Sequence, residues 1–436
     1  MKVIDHERFI YRWATIADME QAAQTMKAAH EDNEEMGEWV RMMMDGRHAS
    51  AAAGTVAIAE DRENGRIASV ITTCPQNWQY AGIELRALNI TEVGTHPDYQ
   101  GQGHVNALMG TIHSELAENA AYDFSLVWGI PWFYTKYGYV QTLANKSSVA
   151  YARTDIFAKR GDGCPYVIRP FEQADIPFAV ELHQHSAKEN LISFPYDAKY
   201  WQMFVFDYFE SNRDQYRVIE QGGRRIGVFV HYTVCDRGIG SYMFDLVSGI
   251  SWLEVLPWVT GYLLDYGDKQ LAAEGRSIEW VRYSLRQGHP VYEIMKDCYS
   301  RERQPEKNYY RIPDMRQFLL KIASVLEKRI AESFLCGYTR IVTLQLFGLE
   351  RVLRIEFSSG RIAGIAWMAA DHRFHDLHLR LDTFMQMLFG QQGIEDYAAD
   401  YREVGSWNDE QGIDNEMRML FNILFPIMPS HINHPL

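Results

Sequence analysis

The segment E-V-G-T-H-P-D-Y-Q-G-Q-G-H-V-N-A-L-M, Glu92–Met109, decides how this chain is read. Leu88–Thr95 before the glycines has β-like composition. After them Val105, Leu108, Met109, Ile112 and Leu116 recur at the spacing of one helical face, so His104–Asn119 is expected to be an amphipathic helix. Gly101 and Gly103 therefore fall at a strand-to-helix turn. Bare backbone amides and the positive end of a helix dipole meet there, the makings of a phosphate site.

The kind of phosphate follows from what is missing. A dinucleotide fingerprint needs a third glycine where Asn106 stands. A triphosphate loop needs Gly-Lys-Ser/Thr, and none follows. What remains is Gln100-x-x-Gly103 behind the strand Val93-Gly94-Thr95. This pattern resembles the pyrophosphate loop of the GCN5-related N-acetyltransferases. The resemblance implies acetyl-CoA held by Val93, Gly94, Thr95, Gln100, Gly101, Gln102, Gly103, His104, Val105 and Asn106, with Gly129 and Ile130 on the far side. Val105 departs from the small residue usual in that family at its place.

An internal repeat organises the first two-thirds of the chain. Arg12, Ala17 and Asp18 in IYRWATIADMEQA recur as Arg169, Ala174 and Asp175 in VIRPFEQADIPFA. Each copy reads as strand, turn and helix, with the Asp placed to cap the helix. The hairpins expected around Asn64-Gly65 and Gly222-Gly223 repeat at nearly the same offset. Two tandem α/β domains of one kind explain this economically. In the second, Ser241–Leu264 holds no Gln-x-x-Gly turn. After Ser300 the chain changes character. A charged stretch at 301–308 leads to the expected helix DMRQFLLKIASVLEKRI, then strands, then the apolar tail LFNILFPIMPSHINHPL.

The order of units resembles the enhanced-intracellular-survival (Eis) acetyltransferases. That resemblance implies an α/β (α+β) fold of two GNAT-like domains, 1–155 and 163–300, the second degenerate. A sterol-carrier-protein-like domain, 309–436, follows. It implies transfer of acetyl from acetyl-CoA to a primary amine of a small polycationic acceptor, such as an aminoglycoside, a polyamine or lysine. Tyr134, in PWFYTKYGYV, takes the place of the family's proton donor to the leaving thiolate, and the carboxylate of Leu436 that of its base. Glu92 is a further base candidate beside the motif, and His431 and His434 are others near the terminus. The family also implies a homo-oligomer, a trimer or hexamer. Two rival readings remain: a non-catalytic acyl-CoA sensor or scaffold, and a lipid carrier using the third domain.

Composition sets the outer bounds. The formal net charge is -14 and no basic run suits a nucleic-acid backbone, so no nucleic-acid partner is expected. Five scattered cysteines, without a CxxC pair, point to neither a disulfide framework nor a zinc site. His183 with His185, and His372, His375 and His378, lack companion ligands, so no metal is expected. With no signal core and no long apolar run, a cytoplasmic protein without membrane contact is expected.

Overall fold

The computed structural model describes residues 4–5, 7–51, 54–119, 122–130, 132–144, 147–208, 214–234, 237–303, 307–349, 351–369, 375–400 and 413–432. They form two compact units, 1–143 with 308–428, and 144–307 with 429–436.

The first unit opens with β1 (Ile4–Asp5), β2 (Phe9–Trp13), α1 (Met19–Ala29) and α2 (Glu34–Asp45). Then come β3 (Val56–Asp61), β4 (Ile67–Tyr80), β5 (Ile83–Thr95), α3 (His104–Asn119), β6 (Phe124–Val127) and β7 (Val140–Ala144). The alternation of β3 around the turn at Asn64-Gly65 makes the expected hairpin with β4. α1 buries Ala22, Ala23, Thr25 and Met26, and its two alanines are small enough for close approach to the sheet. A Cβ on Gly94 of β5 would stand 2.8 Å from both Ala29 Cβ and Met26 Sδ, so glycine is what lets α1 sit there.

The second unit holds β8 (Ser148–Ala152), β9 (Val167–Pro170), α4 (Ile176–Lys188), β10 (Ile192–Ser193), α5 (Ala198–Gln202), β11 (Tyr216–Gln221), β12 (Arg224–Val234) and β13 (Gly238–Leu246). α6 (Trp252–Leu271), β14 (Trp280–Tyr283), α7 (Pro290–Ile294) and β15 (Ser300–Arg303) complete it. Its sheet runs β15-β8-β14-β13-β12-β11-β9. The core behind it centres on Phe229, Ile239, Val259, Leu263 and Tyr283, all fully or almost fully buried.

The chain then returns to the first unit with β16 (Lys307–Arg311), which enters that unit's sheet in the order β1-β2-β3-β4-β5-β6-β16-β7. The two repeats thus trade a strand. β8, which the sequence places at the end of the first domain, pairs with β14 and β15, while β16 from beyond the second domain pairs with β6. Local pattern carries no trace of this, because an inserted strand has the same alternation whichever sheet receives it.

The rest of the first unit is α8 (Met315–Lys321), α9 (Ala323–Ala331), β17 (Arg340–Phe347), β18 (Arg351–Ser358), β19 (Arg361–Ala369), β20 (Leu377–Arg380), α10 (Leu381–Leu388), α11 (Ile394–Asp400) and α12 (Asn415–Leu424). Its strands form a third sheet, β19-β18-β17-β20. The one helix expected over DMRQFLLKIASVLEKRI is two, broken at Ile322, whose side chain is fully buried. The apolar tail is packed as its composition demands. α12 buries Met417, Leu420, Phe421 and Leu424, and Phe425 follows them. Among the described residues no helix is long and apolar enough to cross a membrane.

The repeat itself has a physical meaning. Arg12 donates to both oxygens of Asp18 at 2.7 and 2.8 Å and to Glu60 at 2.7 Å. Arg169 donates to Asp175 at 2.7 and 2.9 Å and to Glu220 at 2.8 Å. Each Asp also reaches back to an amide before the turn, from Thr15 or Glu172. Each Asp therefore caps one turn earlier than expected, as the third residue of a capping box on the 3-10 turn that leads into α1 or α4, while the same carboxylate also takes the arginine.

Candidate active site

The site grows out of an interruption in the first sheet. β5 and β6 run parallel and pair from Ala87–Phe124 to Ile90–Val127, where β6 ends and β5 continues to Thr95. His96 N–H donates to the Ala68 carbonyl, which makes His96–Ala68 a hydrogen-bonded pair and, by alternation, Gly94–Val70 another. The amides of Val93 and Thr95 consequently turn away from β4, into the space β6 has vacated. A bulge sets the angle: Thr91 and Glu92 together oppose Thr72, and the Glu92 amide donates to the Thr72 hydroxyl at 2.9 Å.

Beyond Thr95 the chain makes a 3-10 turn, Pro97–Tyr99, and enters α3 through the glycines. Tyr99 anchors the turn, donating to Asp61 at 3.0 Å and accepting from Asn64 Nδ2 at 2.9 Å. Gly101 and Gly103 have φ of +77° and +83°, a region closed to most side chains. A Cβ at either would meet nothing within 4 Å, so the loop is a bare, open cradle. Gln100, Gly101, Gln102, Gly103 and Asn106 are exposed around it. With the first amides of the 16-residue α3, it suits a pyrophosphate. His104 offers only its backbone: its ring is buried, 3.2 Å through Nδ1 from the Tyr11 hydroxyl and packed on Phe9. Val105, the atypical residue, turns its side chain to the core beneath α3.

Tyr134 stands in a second 3-10 turn, Phe133–Tyr137, after β6. The turn starts at Trp132 with φ +66° and stops at Gly138 with φ +79°. Three contacts hold it. Trp132 N–H donates to the hydroxyl of Tyr309, on β16, at 2.7 Å; the Tyr137 hydroxyl donates to Asn106 on α3; Gly129 lies flat under the Tyr134 ring. A Cβ on Gly129 would come within 2.2 Å of that ring, so this glycine positions Tyr134. Ile130, by contrast, is an exposed apolar side chain, 69% accessible, as is Trp132.

Burial pushes the Tyr134 phenol up to about 12, with Tyr137 and Glu92 adding to it. Burial likewise raises Glu92, against the opposing charge of His30. Two acids with displaced proton affinities, near enough for the Glu92 charge to act on the phenol, are therefore brought together from β5 and the turn after β6. Sequence reasoning missed the wall around them. Trp39 of α2, almost fully buried, donates its indole N–H to Thr91 at the bulge, 3.2 Å away. A tryptophan in a polar-looking helix was the available signal. Leu436 and His434 lie outside the described residues. His431 is 2% exposed, edge-on to His183 with ring centroids 4.8 Å apart within the second unit, and is no surface histidine.

The second domain keeps the gap and fills it. β13 and β14 pair only as far as Ser241–Tyr283, and β13 runs on to Leu246. His289 Nε2 lies 2.9 Å from the Phe244 carbonyl, and Val291 N–H donates to its Nδ1 at 3.2 Å, which places the proton on Nε2. Trp252 packs 4.8 Å from both rings. Burial pushes His289 down to about 3, with Arg286 adding, so the plug is neutral. A strand carbonyl that could pair with an extended ligand is already taken.

Residues 10–142 match the family described as acetyltransferase (GNAT) domain, and this part of the chain is a GNAT acetyltransferase domain. The whole chain has the fold of larger members of that class. It superposes on Eis1 from Mycobacterium abscessus with a TM-score of 0.60 at 12% identity, covering 98% of each chain. A probable N-acyltransferase from Enterococcus faecalis gives 0.69 at 13%, covering 98% of this chain and 100% of that one. A GCN5-related N-acetyltransferase from Anabaena variabilis gives 0.66 at 14%, covering 98% and 99%. No curated protein matches the sequence.

Proposed function

We propose that the chain transfers acetyl from acetyl-CoA to a primary amine of a small, cationic acceptor, at one site in the first domain. The observation that carries this is the gap between β5 and β6, edged by the amides of Val93 and Thr95 and followed, after β6, by the turn that carries Tyr134. The glycine cradle and the amides of α3 bind the pyrophosphate of the cosubstrate. The thioester supplies an acetyl group already activated for attack. A free strand amide, that of Val93, donates to its carbonyl oxygen as negative charge gathers there.

Glu92 takes the proton of the attacking amine. Its raised affinity for protons brings it nearer the pH at which an amine must be deprotonated. Tyr134 donates to the departing sulfur. With the phenol at about 12 and a thiol at about 8.5, complete transfer of the proton runs uphill. Tyr134 therefore stabilises the leaving thiolate as a hydrogen-bond donor, and the proton that Glu92 took from the amine passes through solvent to the sulfur, which leaves the amide, the free thiol and an ionised Glu92. The net charge of -14 suits a cationic acceptor. The chain carboxylate of Leu436 is the competing base. The chain would act as a homo-oligomer, as its Eis-like resemblance implies.

Thiol release from acetyl-CoA with polyamine, aminoglycoside and lysine acceptors tests the reading. Tyr134→Phe and Glu92→Gln should each lower turnover by about 100-fold or more. If Glu92→Gln is active and loss of Pro435-Leu436 is not, the base is the terminus. If acetyl-CoA binds and no amine is acetylated, the sensor reading replaces this one.

A further inference from the structure

A cavity of about 500 Å³ opens in the second unit, between α4, the start of β12 and the turn after β13. The repeat builds this feature twice. In the first unit Gln24, Ala28 and Arg66 line a cavity of about 310 Å³, and their counterparts across the repeat, Glu181, His185 and Arg225, line this one. What differs is charge. In the first copy Lys27 pairs with Glu34, and Arg66 with Asp98 at 3.2 Å, so each lysine and arginine of the lining has its acid.

In the second copy the cations outnumber their partners. Arg225 is held, 3.0 Å from the Ala174 carbonyl and 3.4 Å from Asp175, with its guanidinium over the Phe178 ring. Lys188 and Arg224 line the same cavity, are exposed, and have no ion pair among the described residues. Glu181 lines it too and pairs with neither. In a chain of net charge -14 this surplus of positive charge is local. The two unpaired cations stand at opposite ends. Arg224 precedes Arg225 on β12 and so lies toward Phe178, in the first turn of α4, whereas Lys188 is the last residue of that helix. The helix between Phe178 and Lys188 is about 15 Å long. At the Lys188 end, His185 Nε2 lies 2.8 Å from Ser248 Oγ, and His185 shares a helix face with Lys188. Leu182 and Val247 make the stretch between the ends apolar.

We propose that this cavity binds an elongated small-molecule dianion, with one phosphate or carboxylate at each end. One end is met by Lys188, His185 and Ser248, the other by Arg224, whose planar fork matches either group. The volume is in the range of sites that enclose a molecule of that size, about 300–1,000 Å³. A monoanion reaches one end and leaves the other cation unmatched. The first copy has no unpaired lysine or arginine in its cavity, so one such site per chain is expected. The site is in the second domain, apart from the acetyl-transfer site, and does not rest on that reading.

Titration calorimetry on the full chain tests it, with fructose 1,6-bisphosphate, fructose 6-phosphate, suberate, octanoate and 1,8-octanediamine as ligands. Fructose 1,6-bisphosphate or suberate should bind with a dissociation constant on the order of 100 μM, within reach of a ligand of that size. Each should bind more tightly than its monoanionic counterpart, and the tighter of the two assigns the anionic group. Lys188→Gln and Arg224→Gln should each weaken the dianion about fivefold, by a factor that high salt reduces, and bring it level with the monoanion. Glu181→Gln should tighten binding about twofold, because it removes the acid that opposes the ligand. All three side chains are exposed, so these variants should fold as the parent does, and their thiol release should match it. The glycine cradle is a second place for a phosphate, and the titrations are repeated with coenzyme A present. Binding that coenzyme A abolishes and both variants leave unchanged would put the ligand on the cradle and overturn the proposal. So would octanediamine binding as tightly as suberate, monoanions binding as tightly as dianions, or no binding at all.

Discussion

Glu92 and Tyr134 have burial in common, and burial moves both toward the protonated form. The consequence for pH is distinct for each. As the proposed base Glu92 must lose its proton, so the acid limb of kcat/KM should lie above the ordinary glutamate range of about 4.3. It should vanish from the residual activity of Glu92→Gln in a pH profile. As the proposed donor Tyr134 must keep its proton, and with its phenol at about 12 it should impose no alkaline limb below about pH 10. Gly129 supports this residue: the nearest atoms to a Cβ built on it all belong to the Tyr134 ring. Gly129→Ala should displace the ring and lower kcat by about tenfold or more while acetyl-CoA affinity changes little, a split that steady-state kinetics resolves. None of this could be read from neighbouring sequence, since a tyrosine in a 3-10 turn and a glutamate at a bulge acquire their proton affinities from what surrounds them.

At the level of elements, two close approaches carry the site. α1 rests on β5 through Gly94, and Gly94→Ala should cost about 1–3 kcal/mol in denaturant unfolding by overpacking against Ala29 and Met26. The cradle depends on backbone conformation instead. Gly103→Ala would force φ of +83° on a residue with a Cβ, a strain of about 1–3 kcal/mol, and should weaken acetyl-CoA binding more than it destabilises the fold. Calorimetric titration beside thermal melting separates the two. The strand, glycine turn and helix were legible because their periods differ and the glycines punctuate them. The bulge at Thr91–Glu92 was not, because one extra residue in a strand leaves the alternation of a single sequence ambiguous.

Across the whole chain, the two repeats keep one frame and differ in what fills it. The Arg–Asp–Glu network survives in both copies, at Arg12–Asp18–Glu60 and Arg169–Asp175–Glu220. The gap in the sheet survives too, open beside Val93 and plugged by His289 in the second copy. One acetyl-CoA per chain is therefore the stoichiometry expected from calorimetry, unchanged in His289→Phe; two sites would contradict the plug. Asp18, pulled down to about 2 by Arg12, binds its proton less tightly folded than unfolded, near 3.9. Its contribution is present above about pH 4 and is lost as pH falls toward 2, so Arg12→Gln should be less destabilising at pH 3 than at pH 7 in urea unfolding.

By itself the sequence determined the repeat, the strand and helix that flank the glycine turn, and the loss of that turn in the second copy. Each is encoded locally, in period, punctuation and spacing, and needs no partner to be read. Only the tertiary structure decided which strand completes which sheet. β16 brings Tyr309, and so the amide of Trp132 and the turn that carries Tyr134, into place from about 175 residues away in the chain. It also decided what fills each gap, because pairing and burial depend on side chains that share space and not sequence.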